Sequence, residues 1–318
     1  MSNTFNQQCT IILKALLPYI IILHHLSQKI DFPILKTLFL SSGNLVVSIF
    51  FFISGYGLTK SFLQKKNYLN NFLQHRIFTI CKPFIITIII YQIYKIINHQ
   101  HNDFKDTLLQ FLFQGKTNDI LPASWFIIAI IYFYIAFFIA FSFKRKIIQI
   151  SLSILFFLAY FVYCHSFHFD SYWWISYGAG IIGILWGMKV ETITLNHLSP
   201  IVLAIISFTL FLIMYGQKTS STNFISFCIF PIFIASLFYI LPPPISNKIA
   251  NLKPIMFLSS ISLEIYLIHP IIMRMISFMD DNYMSYIIFT MIFSTISAFF
   301  IKKISTKNII KFKPIKLQ

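Results

Sequence analysis

The chain has 318 residues, of which 57% are hydrophobic and only 11% are charged. This composition, with a mean hydropathy of +0.76, excludes an ordinary soluble domain and indicates an integral membrane protein. The net charge of +16 does not indicate a nucleic-acid-binding protein, because the Lys and Arg residues are dispersed between apolar stretches. The four cysteines lie far apart and predict neither a zinc site nor a disulfide framework.

Apolar stretches close to the length of a bilayer crossing recur along the whole chain. A hydrocarbon core about 30 Å thick requires roughly 20 apolar helical residues. Ten spans are predicted, in chain order: Ile11–Leu26, Leu45–Leu63, Ile77–Ile97, Trp125–Phe143, Ile147–Cys164, Trp173–Met188, Ile201–Tyr215, Phe224–Ile240, Ile255–Met273 and Tyr283–Ile301. The first span lacks the features of a removable signal peptide and is expected to remain as a helix. Residues 1–318 are therefore predicted to form a single membrane domain of the all-α class.

The loops between the predicted spans differ in their content of basic residues. If the N-terminus is cytoplasmic, most of the 25 Lys and Arg residues fall in loops on the cytoplasmic side. Short loops rich in Lys and Arg stay in the cytoplasm. We therefore expect both termini to be cytoplasmic in a multi-pass membrane protein.

The first span contains ionisable residues in the segment KALLPYIIILHHLSQ, residues 14–28. Such side chains are costly within a bilayer and usually serve a function. Lys14 and His25 are almost three helical turns apart, so they share one face about 16 Å apart along the axis. His24 is rotated roughly 100° from that face, so it is expected to serve as an internal control for His25. Alternatively, Lys14 extends to the headgroups and the histidines form structural hydrogen bonds at the membrane surface.

The ninth span contains three polar residues in the segment ISLEIYLIHP, residues 261–270. Tyr266 and His269 are three residues apart and share a helical face, whereas Glu264 and His269 point in different directions. Each of these side chains could reach a partner on another helix. Structural and catalytic roles both stay open for Glu264 and His269.

The second span, SIFFFISGYGL at residues 48–58, carries small residues after a phenylalanine run. Small residues allow membrane helices to approach closely, so Ser54, Gly55 and Gly57 favour close packing over a nucleophilic serine. Two histidine groups, HQHND at residues 99–103 and CHSFHFD at residues 164–170, match no specific metal site in their spacing. No metal is expected.

Three ordered motifs resemble those of membrane-bound acyltransferase family 3, the O-acetyltransferases of bacterial surface polysaccharides. Lys14 followed by His25 resembles a basic-x10-His signature in the first helix of that family. GNLVVSIFFFISGYGL is similar to a G-x-x-x-V-x-x-F-F-x-x-S-G-Y pattern, and SLEIYLIHP is similar to an S-x-x-x-Y-L-x-H-P element. The resemblance covers nearly the whole chain and implies the minimal form, without an appended extracytoplasmic domain.

Two segments depart from the family pattern. The family places an R-R-x-x-R-I-x-P stretch before the third helix, whereas HRIFTICKP keeps Arg76, has His75 and Thr79 in place of the other arginines, and adds Lys82. In PASWFIIAIIYFY the tryptophan, Trp125, is present, but the histidine that commonly precedes it is absent. Of the CoA contacts that the family places in the first of these stretches, those of Arg76 and Lys82 are therefore implied here.

The resemblance implies transfer of an acyl group, usually acetyl, from cytoplasmic acyl-CoA to a carbohydrate hydroxyl, in a bacterial inner membrane. The residues expected to bind acyl-CoA are Lys14, Arg76 and Lys82. The residues expected at the catalytic centre, with His25 as the general base, are His25, Glu264, Tyr266 and His269. The residues expected to contact the acceptor are Ser54 and Trp125. The expected partners are a surface or lipid-linked saccharide, the bilayer and glycan-assembly proteins.

A ten-helix transporter or flippase is the main alternative function. In that case Lys14, His25, Glu264 and His269 would form a path for protons or substrate. A non-catalytic scaffold within a glycan-assembly complex is a third interpretation, and it leaves the intramembrane charges unexplained. Release of CoA that depends on an acceptor would favour the enzyme, whereas solute flux without CoA release would favour a transporter.

Overall fold

A computed structural model describes residues 5–100, 120–122, 124–189, 199–217, 219–279 and 281–307. Within these ranges the chain is helical and contains no strand, which confirms the all-α fold class. The α-helices of the described residues are, in chain order: α1 (Gln7–Lys29), α2 (Pro33–Phe39), α3 (Ser42–Gln64), α4 (Phe72–Ile97), α5 (Trp125–Phe141), α6 (Lys146–Ser166), α7 (Gly178–Lys189), α8 (Ser199–Gly216), α9 (Ser220–Ile240), α10 (Pro243–Ala250), α11 (Lys253–Ser260), α12 (Ser262–Met275) and α13 (Tyr283–Lys307).

The described helices differ in how well they match a bilayer crossing. Seven segments are long and apolar enough to cross a membrane, and an eighth results if α11 and α12 together form one span. Helix α5, with 17 residues, and helix α7, with 12 residues, are apolar but shorter. A helix lies at each of the ten predicted positions. Ten complete crossings and cytoplasmic termini stay predictions.

The sixth predicted span, Trp173–Met188, is wrong at its start. Residues 171–173 form a short 3-10 helix and residues 174–177 form turns, so α7 begins only at Gly178. The aromatic residues before this point are packed against neighbouring helices: Trp173, for example, is buried and contacts Trp125 at the start of α5. These ring contacts therefore favour the 3-10 helix and turns over residues 171–177 in place of the predicted first helical turns.

The ninth predicted span, Ile255–Met273, is wrong as a continuous helix. Helix α11 ends at Ser260, α12 begins at Ser262, and their axes differ by 70°. Ser260 donates its hydroxyl hydrogen bond to the carbonyl oxygen of Phe257 at 2.7 Å, and such serine bonds are a common cause of bent helices. Helix α12 is therefore an independent element, and it packs against α1, α4 and α13.

Helices α3 and α7 pack with their backbones in close contact. A Cβ atom at Gly55 would lie 2.1 Å from the carbonyl oxygen of Gly180, and one at Gly183 would lie 2.1 Å from that of Phe52. Only glycine permits so close an approach. The predicted close packing is thus confirmed at Gly55, whereas Gly57 has open space at the corresponding position. Because α3 also packs against α1, this contact helps to fix the position of α1.

Candidate active site

Helices α1 and α12 lie side by side and run in the same direction. Toward the C-terminal ends of the two helices, the rings of His25 and His269 stack with centroids 5.3 Å apart. Near their beginnings, Lys14 of α1 lies within electrostatic range of Lys302, which forms an ion pair with Glu264 of α12. The two helices therefore carry two separate polar regions, which we name the His25 pocket and the Lys14 cluster.

The His25 pocket is a cavity of about 820 Å³, a volume within the usual range of ligand sites. Side chains from α1, α3, α5, α8, α9 and α12 and from the turns before α7 surround it. Its polar and aromatic lining residues are His24, His25, Gln28, Lys29, Ser41, Asn44, Trp125, Ser171, Tyr172, Tyr215, Asn223, Phe227, Tyr266 and Arg274. The cavity also reaches Ile21, one turn from His25 in the direction of Lys14.

His25 and His269 have different access to the cavity. His25 is half-buried and lines the wall. His269 is completely buried behind it and does not line the cavity. The Nδ1 atom of His269 lies 2.7 Å from the carbonyl oxygen of Tyr266, which can only accept, so this nitrogen donates. The Nε2 atom of His269 is buried and has no hydrogen-bond partner among the described residues.

A chain of hydrogen bonds determines which nitrogen of His25 carries the proton. The carbonyl oxygen of Phe39 lies 3.0 Å from Nδ1 of His24 and can only accept, so His24 donates there and its Nε2 is an acceptor. The amide nitrogen of Gln28 donates to that Nε2 at 3.1 Å. The amide oxygen of Gln28 then faces Nδ1 of His25 at 3.2 Å and accepts from it. A neutral His25 is left with an unprotonated Nε2, the form that a general base requires.

His24 is therefore part of the same hydrogen-bonded chain as His25. The prediction that it can serve as an internal control is wrong, because its Nε2 atom orients the Gln28 amide. The backbone also holds the ring in place, since a Cβ atom at Gly43 of α3 would lie 2.5 Å from the His24 Nε2 atom. Glycine at this position makes room for the imidazole.

Aromatic rings form one wall of the His25 pocket. Trp125, the first residue of α5, contacts Tyr172 edge to face with centroids 5.3 Å apart. Tyr266 lines the cavity from α12, and its ring centroid is 5.9 Å from that of His269. Trp125 and Tyr172 both line the cavity and are only partly buried. A wall of this kind suits a ligand that has both apolar faces and polar edges.

The Lys14 cluster brings together cations from three helices. Lys14 is exposed on α1 and lies within electrostatic range of Arg76 on α4 and of Lys302 on α13. Arg76 is half-buried and donates from Nη2 to the Tyr68 hydroxyl at 2.8 Å. Tyr134 of α5 lies within electrostatic range of the same guanidinium. The region therefore concentrates positive charge beside hydroxyl groups.

Glu264 supplies negative charge to the Lys14 cluster. Its side chain is 1% exposed, and its Oε1 atom lies 3.1 Å from the Lys302 ammonium. The other carboxylate oxygen, Oε2, is buried, and within the described part of the chain it has no hydrogen-bond partner. A buried carboxylate is stable only when paired, so Lys302 is the residue that retains Glu264 in this position.

The predicted site residues are divided between the two regions. Those that line the His25 pocket are His25, Trp125 and Tyr266. His269 stacks behind this wall. Those in the Lys14 cluster are Lys14, Arg76 and Glu264, and Ser54 lies near it, beside Tyr134. Lys82 is half-buried on α4, six residues beyond Arg76.

Several residues of the two regions are absent from the sequence-based predictions: Gln28, Lys29, Tyr172, Arg274 and Lys302. Gln28 and Lys29 have a local signal, because Gln28 follows His24 by four residues and His25 by three, and Lys29 follows His25 by four, so these side chains can meet on one helix. Among the described residues, no three His, Cys, Asp or Glu side chains converge as metal ligands would.

The fold and the two polar regions define a polytopic helical membrane protein with a ligand cavity beside a polar helix pair. A family model described as an acyltransferase domain matches residues 11–303. Because this match covers most of the chain, the protein belongs to acyltransferase family 3, as the motif resemblance predicts. No curated protein matches the chain, and no solved structure matches it.

Proposed function

We propose that this acyltransferase transfers an acyl group, acetyl in the simplest case, from cytoplasmic acyl-CoA to a carbohydrate hydroxyl at the outer face of a bacterial inner membrane. The family match supports acyl transfer in general. The observation that carries the finer assignment is the separation of the Lys14 cluster from the His25 pocket along α1. The Lys14 cluster suits an anionic donor, and the His25 pocket suits a sugar.

The Lys14 cluster is the proposed binding site for the CoA phosphates. Arg76 offers planar, bidentate contacts to phosphate, and Lys14, which lies within electrostatic range of Arg76, adds a second charge. Lys82 is the predicted third cation on the same helix as Arg76. The pantetheine arm would then extend about 16 Å along α1 to bring the thioester to His25. The extension of the cavity to Ile21 supports this direction of approach.

His25 is the proposed general base. Its unprotonated Nε2 removes the proton from the sugar hydroxyl while the hydroxyl oxygen attacks the thioester carbonyl carbon. The tetrahedral intermediate collapses, the carbon–sulfur bond breaks, and the imidazolium returns the proton to the departing thiolate. The products are an acyl ester and free CoA, and His25 is restored. Gln28 serves as a positioning residue that keeps Nδ1 protonated and Nε2 available.

Neighbouring side chains have distinct proposed roles in the same step. His269 stacks on His25 and fixes the plane of its ring. The Tyr266 hydroxyl is the candidate donor to the oxyanion of the tetrahedral intermediate. Trp125 and Tyr172 are the candidate platform for the sugar ring, since both line the cavity.

The test uses the purified protein in lipid nanodiscs with acetyl-CoA and a mixture of methyl glycosides. Thiol release is followed with a chromogenic reagent, and the glycosides are analysed by mass spectrometry before and after mild alkali. We expect acceptor-dependent thiol release and an alkali-labile acetyl ester, both lost in His25→Ala and both retained in His165→Ala, a matched change of an exposed histidine. Solute flux in liposomes without thiol release would instead favour a transporter.

A further inference from the structure

We propose that the acceptor is anionic, with a carboxylate or phosphate group about one sugar ring away from the hydroxyl that is acylated. The inference rests on the proposed function, because it takes the His25 pocket as the acceptor site. It goes further by assigning the chemical class of acceptor. Lys29 and Arg274 carry this assignment.

Lys29 lies one helical turn beyond His25 on α1. The two residues are four positions apart, so they share a face of the helix and are separated by about 6 Å along the axis. Lys29 lines the cavity and lies within electrostatic range of His25. Its ammonium group is therefore located next to the proposed base, on the side opposite to the donor.

Arg274 lies beyond His269 on α12, one turn after Pro270, which also lines the cavity. It follows His269 by five residues, about 7.5 Å along the axis, in the same direction that leads from His25 to Lys29. Arg274 donates from Nη1 to the hydroxyl of Tyr91 on α4, and its Cζ atom is 5.3 Å from the centroid of that ring. Tyr91 is 1% exposed, so this anchor is fixed. A guanidinium has five N–H donors, and one bond to Tyr91 leaves others for a ligand.

The charges that line the His25 pocket are of one sign. Among the described lining residues, Lys29 and Arg274 are the charged side chains, and no carboxylate is present. Asp31, which follows α1 closely, does not line the cavity and forms an ion pair with Lys36 at 2.8 Å. That hydrogen bond lowers the pKa of Asp31, so the carboxylate is already committed to another cation.

Two cations around one cavity favour a ligand of opposite charge. A neutral sugar can accept hydrogen bonds from both cations through its hydroxyl oxygens, but it supplies no opposite charge. A carboxylate or phosphate would form charge-assisted hydrogen bonds with them. The cations lie about one turn from the stacked histidines, so an anionic group bound there would leave a neighbouring hydroxyl at His25. A uronic acid and a sugar phosphate both meet this requirement.

The test compares acceptors that differ only in charge, with the purified full-length protein in nanodiscs and acetyl-CoA at saturation. The probes are methyl glucoside, methyl glucuronide and methyl glucoside 6-phosphate, with the corresponding galacto and manno sets. We expect kcat/KM to be about 10–100-fold higher for the charged members of at least one set, as one charge-assisted contact provides. Preference for the uronates would identify a carboxylate as the anionic group of the acceptor. Preference for the phosphates would identify a phosphate as that group.

Substitution of Arg274 then assigns the preference to a residue. Arg274→Met is expected to raise KM for the charged acceptor about 10–100-fold, to leave kcat nearly unchanged, and to leave the neutral acceptor unaffected. Arg274→Lys, which keeps the charge, should restore part of the preference. Arg145→Met is the matched control, since Arg145 is an exposed arginine that does not line the cavity.

Two outcomes would overturn the inference alone. One is equal use of neutral and charged acceptors by the unmodified protein, and the other is an equal loss on all acceptors in Arg274→Met. In both cases acetyl transfer to a sugar would still be observed, and the proposed function would stand. If no glycoside of any charge is acetylated, the proposed function fails, and the inference fails with it.

Discussion

The Lys14 cluster and the His25 pocket differ in how their polar groups are balanced. In the Lys14 cluster, cations are close together and a buried carboxylate, Glu264, pairs with one of them. In the His25 pocket, His25 is held by a neutral amide, Gln28, and the chain of hydrogen bonds ends at a backbone carbonyl. Charge is thus concentrated where an anionic donor is expected, and the proposed base is oriented without a carboxylate.

This difference has a physical reason. A carboxylate beside His25 would favour the charged imidazolium and would itself require desolvation within the membrane. A neutral amide fixes the tautomer and leaves the imidazole uncharged, which is the state that accepts a proton. The two regions can therefore be changed independently, and each substitution below is expected to affect one region only.

The largest expected effect is that of His25→Ala. Loss of a general base lowers kcat about 10²–10⁴-fold, while KM for acyl-CoA should stay the same because the Lys14 cluster is intact. Steady-state kinetics with acetyl-CoA and the best acceptor measure both constants, and His165→Ala is the control. Retention of more than a tenth of the activity would mean that His25 is not the base.

Arg76→Gln should have the next largest effect, and this effect should be on the Lys14 cluster. The change removes a charge-assisted contact to phosphate and should raise KM for acyl-CoA about 10–100-fold, with KM for the acceptor unchanged. Arg145→Gln, an exposed arginine just before α6, provides the matched control. A rise in the acceptor KM alone would place the donor site elsewhere.

Gln28→Leu is expected to lower kcat about tenfold, the cost of one lost hydrogen bond of ordinary strength. The donor KM should not change. Nitrogen NMR of histidine-labelled protein should show His25 with its proton on Nδ1 before the substitution and divided between both nitrogens after it. An unchanged tautomer together with reduced kcat would indicate that Gln28 has only a structural role.

Glu264→Gln should have the smallest effect. Removal of the negative charge leaves Lys302 available to the donor, so KM for acyl-CoA should fall by about threefold and kcat should be maintained. Asp31→Asn, which removes an exposed ion-paired carboxylate, is the control. A loss of kcat near that of His25→Ala would support the catalytic role that the sequence leaves open for Glu264.

Local spacing was sufficient to predict some features of the site. The helices at the ten predicted positions follow from apolar runs, whereas the short helices α2 and α10 were not predicted. The common face of Lys14 and His25 follows from helical periodicity. The spacing of Gln28 from His24 and His25 is equally local. The bend at Ser260 has a weak signal in the adjacent serines at positions 259 and 260, which can compete with helical hydrogen bonds.

Contacts between distant helices could not be predicted from the sequence in this way. The stacking of His25 on His269 and the pairing of Glu264 with Lys302 depend on how α12 packs between α1 and α13. Periodicity gives the face on which a residue lies, but it does not identify the helix that the face will contact. For this reason Glu264 and His269, which are close in sequence, belong to different polar regions.

The most direct test of the central claim uses liposomes that keep the two substrates on opposite sides of the bilayer. The protein is reconstituted in both orientations, with acetyl-CoA sealed inside and a membrane-impermeant methyl glycoside outside. If the donor binds at the Lys14 cluster and the acceptor at the His25 pocket, an acetyl ester should form outside while CoA accumulates inside, and His25→Ala should abolish both. Ester formation only when both substrates are on the same side would contradict the account.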